Sequence, residues 1–526
     1  MKQICVFIAT MLLFLPTSIS AHVVKSDDIV ILFDNDVHGR MEGYAKLADL
    51  RKEMSKITEN VCVISLGDFA QGGPLCSVSH GMFAVDAMNY VGYDYITLGN
   101  HEYDYGIDHL QRLTSALHAK TITCNFVDAK TEKPLYEPYT IRQFGNLKVA
   151  FIGCVTPITK VSDAPDSFVD KDGKDLYHFC HGTFYSLLQK YVDEVRAMGV
   201  DLVILMAHLG DIDSNFETSE VAIQQTHGID IVLDGHAHHV IEGRRMLNAK
   251  GDSVLLVSTG SHFMNIGRIT IHSNGKFESD LVSVPSYKGK DASVEKLIAS
   301  FQKAFSNLPV IAKSPYDLAG FDQEHDTYDR NCQTNLGTLC ADAFRVMSRT
   351  DIGWVNAGGI RGSISAGNIT FKELLNAFPF ENKICVSEFT GQQIMDALEY
   401  GVSLAPSDNG NFPQVSGLTY ELNLDVEANV KNNTNGSFLS IGEGPRRVSN
   451  VKVLNAKTDQ YEPIDLSKKY SVASIDFILM KGGCNGMLSN GHLIADDQMV
   501  DTQLLEDYLR SYLNGVVNED YQKIRH

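Results

Sequence analysis

The sequence predicts a two-domain protein: a layered α/β domain with buried β-sheets and flanking helices, joined by a helix to a smaller α+β domain. Three observations carry this. At 526 residues the chain exceeds what one hydrophobic core serves. From Asp28 to about Ser283, short apolar runs rich in β-branched residues alternate with longer amphipathic stretches. Beyond that region, helix-like and strand-like stretches are more segregated in order.

In chain order, residues 1–21 hold one lysine, an apolar run from Ile4 to Leu15, and then small residues. That is the layout of a secretory signal peptide cleaved near Ser20 or Ala21. The run is too short to span a bilayer comfortably, and the polar C-terminus lacks the tail of a glycolipid anchor. The expectation is an exported chain, periplasmic or extracellular, with no stable membrane anchor. Residues 22–288 make the first domain. Its apolar runs at 29–33, 61–66, 95–98, 121–126, 149–155, 202–207, 230–233 and 254–258 do not alternate with polar residues. Strands buried on both faces read this way. Residues 43–57, 106–119 and 184–199 repeat apolar positions at helical spacing. A helical stretch at 292–305 lies within the expected linker, 289–312. The second domain, 313–526, opens with a helix pattern at 334–349. Strand-like stretches at 418–424, 447–454 and 470–479 precede a closing helix at 501–513.

Hydrophobic residues make up 44% of the chain and charged residues 21%, an ordinary globular balance. The net charge of −20 excludes a nucleic-acid polymer as partner, because tracking its backbone needs a basic face. It does not exclude a small anionic substrate. Cys62, Cys124 and Cys154 fall inside strand-like runs, where a thiol acts as a small buried hydrophobe. Cys332 and Cys340 are near enough to invite pairing, which sequence leaves open, but no disulfide framework is expected.

The ends of five first-domain strands carry the chemistry. Run 29–33 leads into Asp34-Asn35-Asp36-Val37-His38, and run 61–66 into Gly67-Asp68. Run 95–98 leads into Gly99-Asn100-His101-Glu102, run 202–207 into His208, and run 230–233 into Gly235-His236-Ala237-His238. In open α/β sheets, ligands bind outside these ends. Imidazole and carboxylate donors without a nearby thiolate suit two divalent metal ions, Zn²⁺ or Mn²⁺. Such a pair clamps a phosphate and generates hydroxide near neutral pH. Any one of these histidines alone reads as a structural residue, and Asp68 or Asn100 alone as a helix cap. Five coincident strand ends do not. His239, directly after His238, is read as a neighbour.

The series Asp36 and His38, Asp68, Asn100 and His101, His208, His236 and His238 resembles the calcineurin-like metallophosphoesterases. With the second domain included, essentially the whole mature chain is similar to the 5'-nucleotidase family. The resemblance implies one metal held by Asp36, His38, Asp68 and His238, and another by Asp68, Asn100, His208 and His236, with Asp68 bridging. It implies that His101, oriented by Asp104, stabilises charge on the phosphoryl group or leaving oxygen. It also implies phosphate-binding roles for Arg330 and Arg361, a place near the nucleoside for Asn356, and a base-stacking role for Phe380. Gly358 and Gly359 leave backbone room for the ligand beside Arg361. Read alone, Gly-Gly-x-Arg is more often a turn with a surface arginine, and Phe380 is equally core packing. A second base-stacking ring falls in a GGDGF-like segment of the family. Here the segment is Gly482-Gly483-Cys484-Asn485-Gly486-Met487, so Met487 stands in place of the ring and the aspartate is missing. A thioether touches a base but stacks less well, which implies a broader substrate range.

The expected function is hydrolysis of nucleoside 5'-monophosphates to nucleoside and phosphate by metal-hydroxide attack. Substrate would lie between the domains, with a hinge near residues 306–318. Hydrolysis of UDP-sugars, or of 2',3'-cyclic nucleotides and 3'-nucleotides, is an alternative on the same centre. A non-catalytic, metal-containing nucleotide binder is another; His101 and Asp104, which need not bind metal, speak against it.

Overall fold

The computed structural model describes residues 25–162, 165–211, 216–303, 308–320, 330–432, 438–480, 483 and 485–523. The signal peptide expected at 1–21 lies outside the described residues, as do Gly482 and Cys484. The first domain is built on two six-stranded sheets. One has the strand order 277–283, 265–271, 26–34, 58–65, 95–96, 120–121. The other has the order 240–247, 253–259, 231–233, 202–208, 147–155, 139–144.

The period of two along each strand decides which layer a residue enters. On the strand Ser26–Asp34, Ile29, Ile31 and Phe33 join Phe151, Ile204 and Met206 of the other sheet in one buried cluster. Val30 and Leu32 face the opposite way, into a cluster with Tyr44, Leu47 and Met88. The helices Glu42–Ile57, Met82–Val91, Ile107–Ala116 and Ala292–Lys303 contribute to that second cluster. Phe184–Ala197 and Ser219–Gln225 cover the other sheet through Leu188, Val192 and Ile223. Four layers, helix, sheet, sheet and helix, therefore bury both faces of the central strands. Each fully buried Ile, Leu or Phe contributes about 1.5–3 kcal/mol, which is why the runs are apolar throughout.

The strands 139–144, 240–247, 265–271 and 277–283 are not among those runs. They pair antiparallel at or next to the sheet edges, and Val240–Leu247 and Phe277–Ser283 are largely exposed or half-buried. Run 121–126, in contrast, pairs as a strand only at Lys120–Thr121. Further on, Asn125 takes over with its side chain, giving Nδ2 to the Val155 carbonyl at 2.7 Å and accepting the Val155 N–H at 3.0 Å.

The second domain centres on a mixed sheet with the order 413–416, 352–356, 469–475, 383–390, 492–500. Helices Asn335–Ser348, Gly391–Gly401 and Asp501–Asp507 enclose a core that includes Trp354, Phe344 and Leu398. The stretch 470–479, expected as strand, turns at Ile475 into the short helix Asp476–Leu479. The closing helix widens after Asp507 into a π-turn, Tyr508–Tyr512. Cys332 and Cys340 are not joined to each other, and Cys62, Cys76, Cys124, Cys154, Cys180 and Cys340 carry free thiols.

The helix Ala292–Lys303 packs on the first domain through Val294, Ile298 and a Phe83–Phe301 ring stack at 4.1 Å. The strand Val310–Ser314 already belongs to the second, pairing with Gly367–Thr370. Across the domains, His80 and Glu381 form an ion pair at 3.2 Å. No helix among the described residues is long and apolar enough to cross a membrane.

Candidate functional site

The five strand ends converge. Three of the segments leave their strands through residues in the left-handed region: φ is 50° at Asp36 and 44° at His38, 58° at Asp68, and 81° at His236 and 61° at His238. Such a residue stops strand pairing and re-aims its side chain, at a cost of about 1–3 kcal/mol. Glycine makes room at one point of near contact. A Cβ on Gly99 would stand 2.2 Å from Asp68 Oδ1.

All seven residues expected as metal ligands meet here. His38 Nε2 lies 3.1 Å from His238 Nε2, and His238 Nε2 lies 3.4 Å from Asp36 Oδ1. Asn100 Oδ1 lies 3.1 Å from His208 Nε2 and 3.0 Å from His236 Nδ1. Asp68 Oδ2 is 3.6 Å from His38 Nε2 on one side and 3.3 Å from His208 Nε2 on the other. Two neighbouring nitrogens bonded to one tetrahedral zinc stand ~3.3 Å apart, so these spacings fit shared cations. Two geometric clusters emerge: Asp36, His38 and His238, and Asp36, Asp68 and His208. They share Asp36, whereas the contacts of Asp68 Oδ2 reach both sides.

The electrostatics fit the same ion. Burial alone would raise the Asp68 carboxyl, but His208, His101 and His38 hold it well below the usual carboxylate range. Burial likewise opposes charge on His208, yet Asp68 and Asp36 push it up to about 10. The carboxylates thus call for positive charge at this spot. Burial lowers His236 to about 3 and His38 well below the usual imidazole range, keeping lone pairs available.

Supporting groups orient the donors. His208 Nδ1 donates to the Leu66 carbonyl at 2.7 Å, leaving Nε2 for the cluster, and His38 Nδ1 lies 3.0 Å from Gln71 Oε1. Asn35 Nδ2 donates to Asp36 Oδ2 at 2.7 Å. The fully buried Glu102 accepts four backbone N–H bonds: from Asp68 and Gly99 at 2.8 and 2.7 Å, and from Phe69 and Ala70 at 2.8 and 3.0 Å. His101 gives its N–H to Asp68 Oδ1 at 3.0 Å, and its Nδ1 meets Asp104 Oδ2 at 2.9 Å.

The second domain supplies Phe380 and Arg361 to this cleft. The Phe380 ring lies 5.9 Å from His101, and the Arg361 guanidinium is 5.9 Å from the Phe380 centroid. The Arg361 charge acts on His38, and both Arg361 and Arg330 act on His262. Arg330 also stands 3.7 Å from Asp408. Asn356 and Gly358 bind the Gly410 carbonyl at 3.2 and 2.9 Å, and a Cβ on Gly359 would stand 3.0 Å from Asn356 Oδ1. Met487 is part-buried against the second domain's core. Reading the strand ends missed Asn35, Gln71, Glu102 and His262 as members of the site. Glu102 sat in the Gly-Asn-His-Glu run, and His262 follows the end of the run 254–258, so the same rule applied a sixth time would have found it.

Residues 29–240 match the calcineurin-like phosphoesterase family, and residues 310–489 match the 5'-nucleotidase C-terminal domain. The chain is 26% identical to a 5'-nucleotidase of Vibrio parahaemolyticus, over 76% of this chain and 79% of that one. It is 23% identical to the trifunctional nucleotide phosphoesterase protein YfkN of Bacillus subtilis, over 93% of this chain but only 34% of that longer protein. The crystal structure of a 5'-nucleotidase precursor from Thermus thermophilus superposes with a TM-score of 0.78 at 26% identity, covering 93% of this chain and 97% of that one.

Proposed function

This chain belongs to the 5'-nucleotidase family of calcineurin-like phosphoesterases, a hydrolase family, and on that premise we propose that it hydrolyses nucleoside 5'-monophosphates to nucleoside and phosphate. The observation that carries the reading is the meeting of two carboxylates, an amide oxygen and four imidazoles beside arginines contributed by the other domain. Asp36, His38, Asp68 and His238 would hold one divalent metal, and Asp68, Asn100, His208 and His236 the other. When bound, such a pair clamps the phosphoryl oxygens and activates water. The donor set, borderline nitrogen and hard oxygen without thiolate, supports Zn²⁺ or Mn²⁺.

The chain's own residues do the rest. Arg361 and Arg330 bind phosphoryl oxygens through guanidinium forks. Asp104 fixes the His101 ring through Nδ1, leaving Nε2 to serve the leaving oxygen. Phe380, beside His101 and Arg361, stacks on the base, while Asn356, Gly358 and Gly359 shape the nucleoside side with the Gly410 backbone. Metal donors on one domain and arginines on the other imply domain movement during exchange of substrate. That hinge would lie near residues 306–318, of which 306 and 307 fall outside the described residues. The leader at 1–21 supports export to the periplasm or beyond. Met487, in place of a ring, favours a second reading on the same centre: UDP-sugars or 2',3'-cyclic nucleotides.

The test is phosphate release by the metal-loaded protein from AMP, UMP, 3'-AMP, 2',3'-cyclic AMP and UDP-glucose, with a phosphatase added where the first product keeps its phosphate. Dominant hydrolysis of the 5'-monophosphates, lost on chelation and in Asp68→Ala, is the expected result. Preference for the cyclic or sugar substrates would replace the substrate and keep the centre. No hydrolysis at all would leave a nucleotide binder.

A further inference from the structure

A sixth strand end reaches the site. The strand Ser253–Thr259 runs parallel to Ile231–Leu233, and the chain continues through Gly260 and Ser261 to His262. His262 and Phe263 both take left-handed backbone, with φ 52° and 54°. Consecutive non-glycine residues of this kind persist only where their surroundings over-determine them. Here the His262 N–H donates to the Asp36 carbonyl at 2.7 Å, and the Phe263 ring packs edge-on against Tyr44 at 5.1 Å. The turn is thus tied to the backbone of a residue in the candidate metal cluster.

The ring is also held. Ser261 Oγ lies 2.9 Å from His262 Nδ1. The His38 ring stands 5.4 Å from His262 and 5.4 Å from His101, and the His238 ring meets His262 edge-on at 5.9 Å. His262 belongs to neither of the two carboxylate–imidazole clusters. The positive charges of Arg40, Arg330 and Arg361 all act on it. Guanidinium groups only donate hydrogen bonds. Their charge, together with the His38, His101 and His238 rings that stand around this point, suits an anion with several acceptor oxygens.

We propose that His262 is a second phosphoryl-contacting histidine, giving Nε2–H to a non-bridging oxygen while Ser261 Oγ–H donates to Nδ1 and fixes that tautomer. The inference rests on the phosphoesterase reading for the identity of the anion. It adds a substrate contact on the first domain that neither metal nor arginine provides. His262 would thereby set how tightly the phosphoryl group is held, alongside His101 at the leaving oxygen.

The experiment compares wild type, His262→Phe, His262→Gln and Ser261→Ala as metal-loaded proteins. Three quantities are read: metal content by elemental analysis, affinity for inorganic phosphate by calorimetry, and kcat and KM on the preferred substrate. His262→Phe should keep both metals, bind phosphate about 10- to 100-fold more weakly and lose a similar factor in kcat/KM. His262→Gln, which restores an N–H donor, should recover part of the affinity, and Ser261→Ala should lose less than His262→Phe. Should the phenylalanine variant not fold, His262→Asn serves instead, since asparagine tolerates left-handed backbone but is too short to reach. Unchanged phosphate affinity with both metals retained would overturn the proposal. So would the loss of a metal, which would make His262 a ligand. Wild-type protein that binds phosphate but hydrolyses no nucleotide would sink the functional reading while leaving this contact testable.

Discussion

Glu102 touches no expected ligand through its own side chain except by way of backbone, yet its removal should empty the metal centre. Its two oxygens accept the N–H groups of Asp68, Phe69, Ala70 and Gly99, at 2.7 to 3.0 Å. Only an ionised carboxylate satisfies four donors at once. In Glu102→Gln one oxygen becomes an NH₂ group facing two N–H donors, so two hydrogen bonds to a charged acceptor are lost. At about 1.5–3 kcal/mol each, the loss is about 3–6 kcal/mol. That is at least as large as the ~1–3 kcal/mol that the left-handed backbone of Asp68 costs at φ 58°. The Asp68 turn should therefore relax and withdraw the carboxylate that faces both His38 and His208. Titrating Zn²⁺ against a competing chelator should show the weaker site weakened at least 10- to 100-fold, with activity on a phosphomonoester falling in parallel. A Glu102→Gln protein that holds both metals as tightly as wild type would refute the reasoning.

Two further outcomes follow from groups away from the metals. Burial pushes Asp501 up to about 7, whereas its unfolded carboxyl ionises near 4; the folded state therefore binds the extra proton, and stability is lost as pH rises through that window. Asp501→Asn should melt higher than wild type at pH 8, by on the order of 1–3 kcal/mol, and the gain should vanish near pH 4; a pH-independent difference would contradict this. The His80–Glu381 pair across the domains is about 40% exposed on each side, so Glu381→Gln should change KM by no more than a few-fold. A larger effect that 0.5 M salt fails to mimic would show that the contact holds the cleft by more than charge.

The first-domain strands and the meeting of the seven expected ligands are legible for one reason. Strands buried on both faces are apolar throughout, and a polar residue at such a run's carboxyl end has few structural explanations. Edge strands such as Val240–Leu247 escaped because exposed strands carry no such run, and 121–126 misled because burial there is served by the Asn125 side chain rather than by pairing. Glu102 was invisible for a different reason. Its role is to bind backbone N–H groups 32 to 34 residues earlier, and nothing in residue spacing marks that. In the second domain, Arg361 and Phe380 meet the cleft only through the docking of one body on the other, which local sequence does not encode.

The left-handed backbone at Asp36, His38, Asp68, His236 and His238 narrows what time can do to these positions. Aspartate, asparagine and histidine are the non-glycine side chains most at home there, so the residues that chemistry asks for are also those the chain admits. A descendant that abandons catalysis cannot drift freely. Its vacated positions should collect asparagine and glycine rather than leucine or valine. The backbone would then preserve the outline of the metal centre after the metal is gone, and asparagines at these five positions, on three strand ends, would mark a retired enzyme.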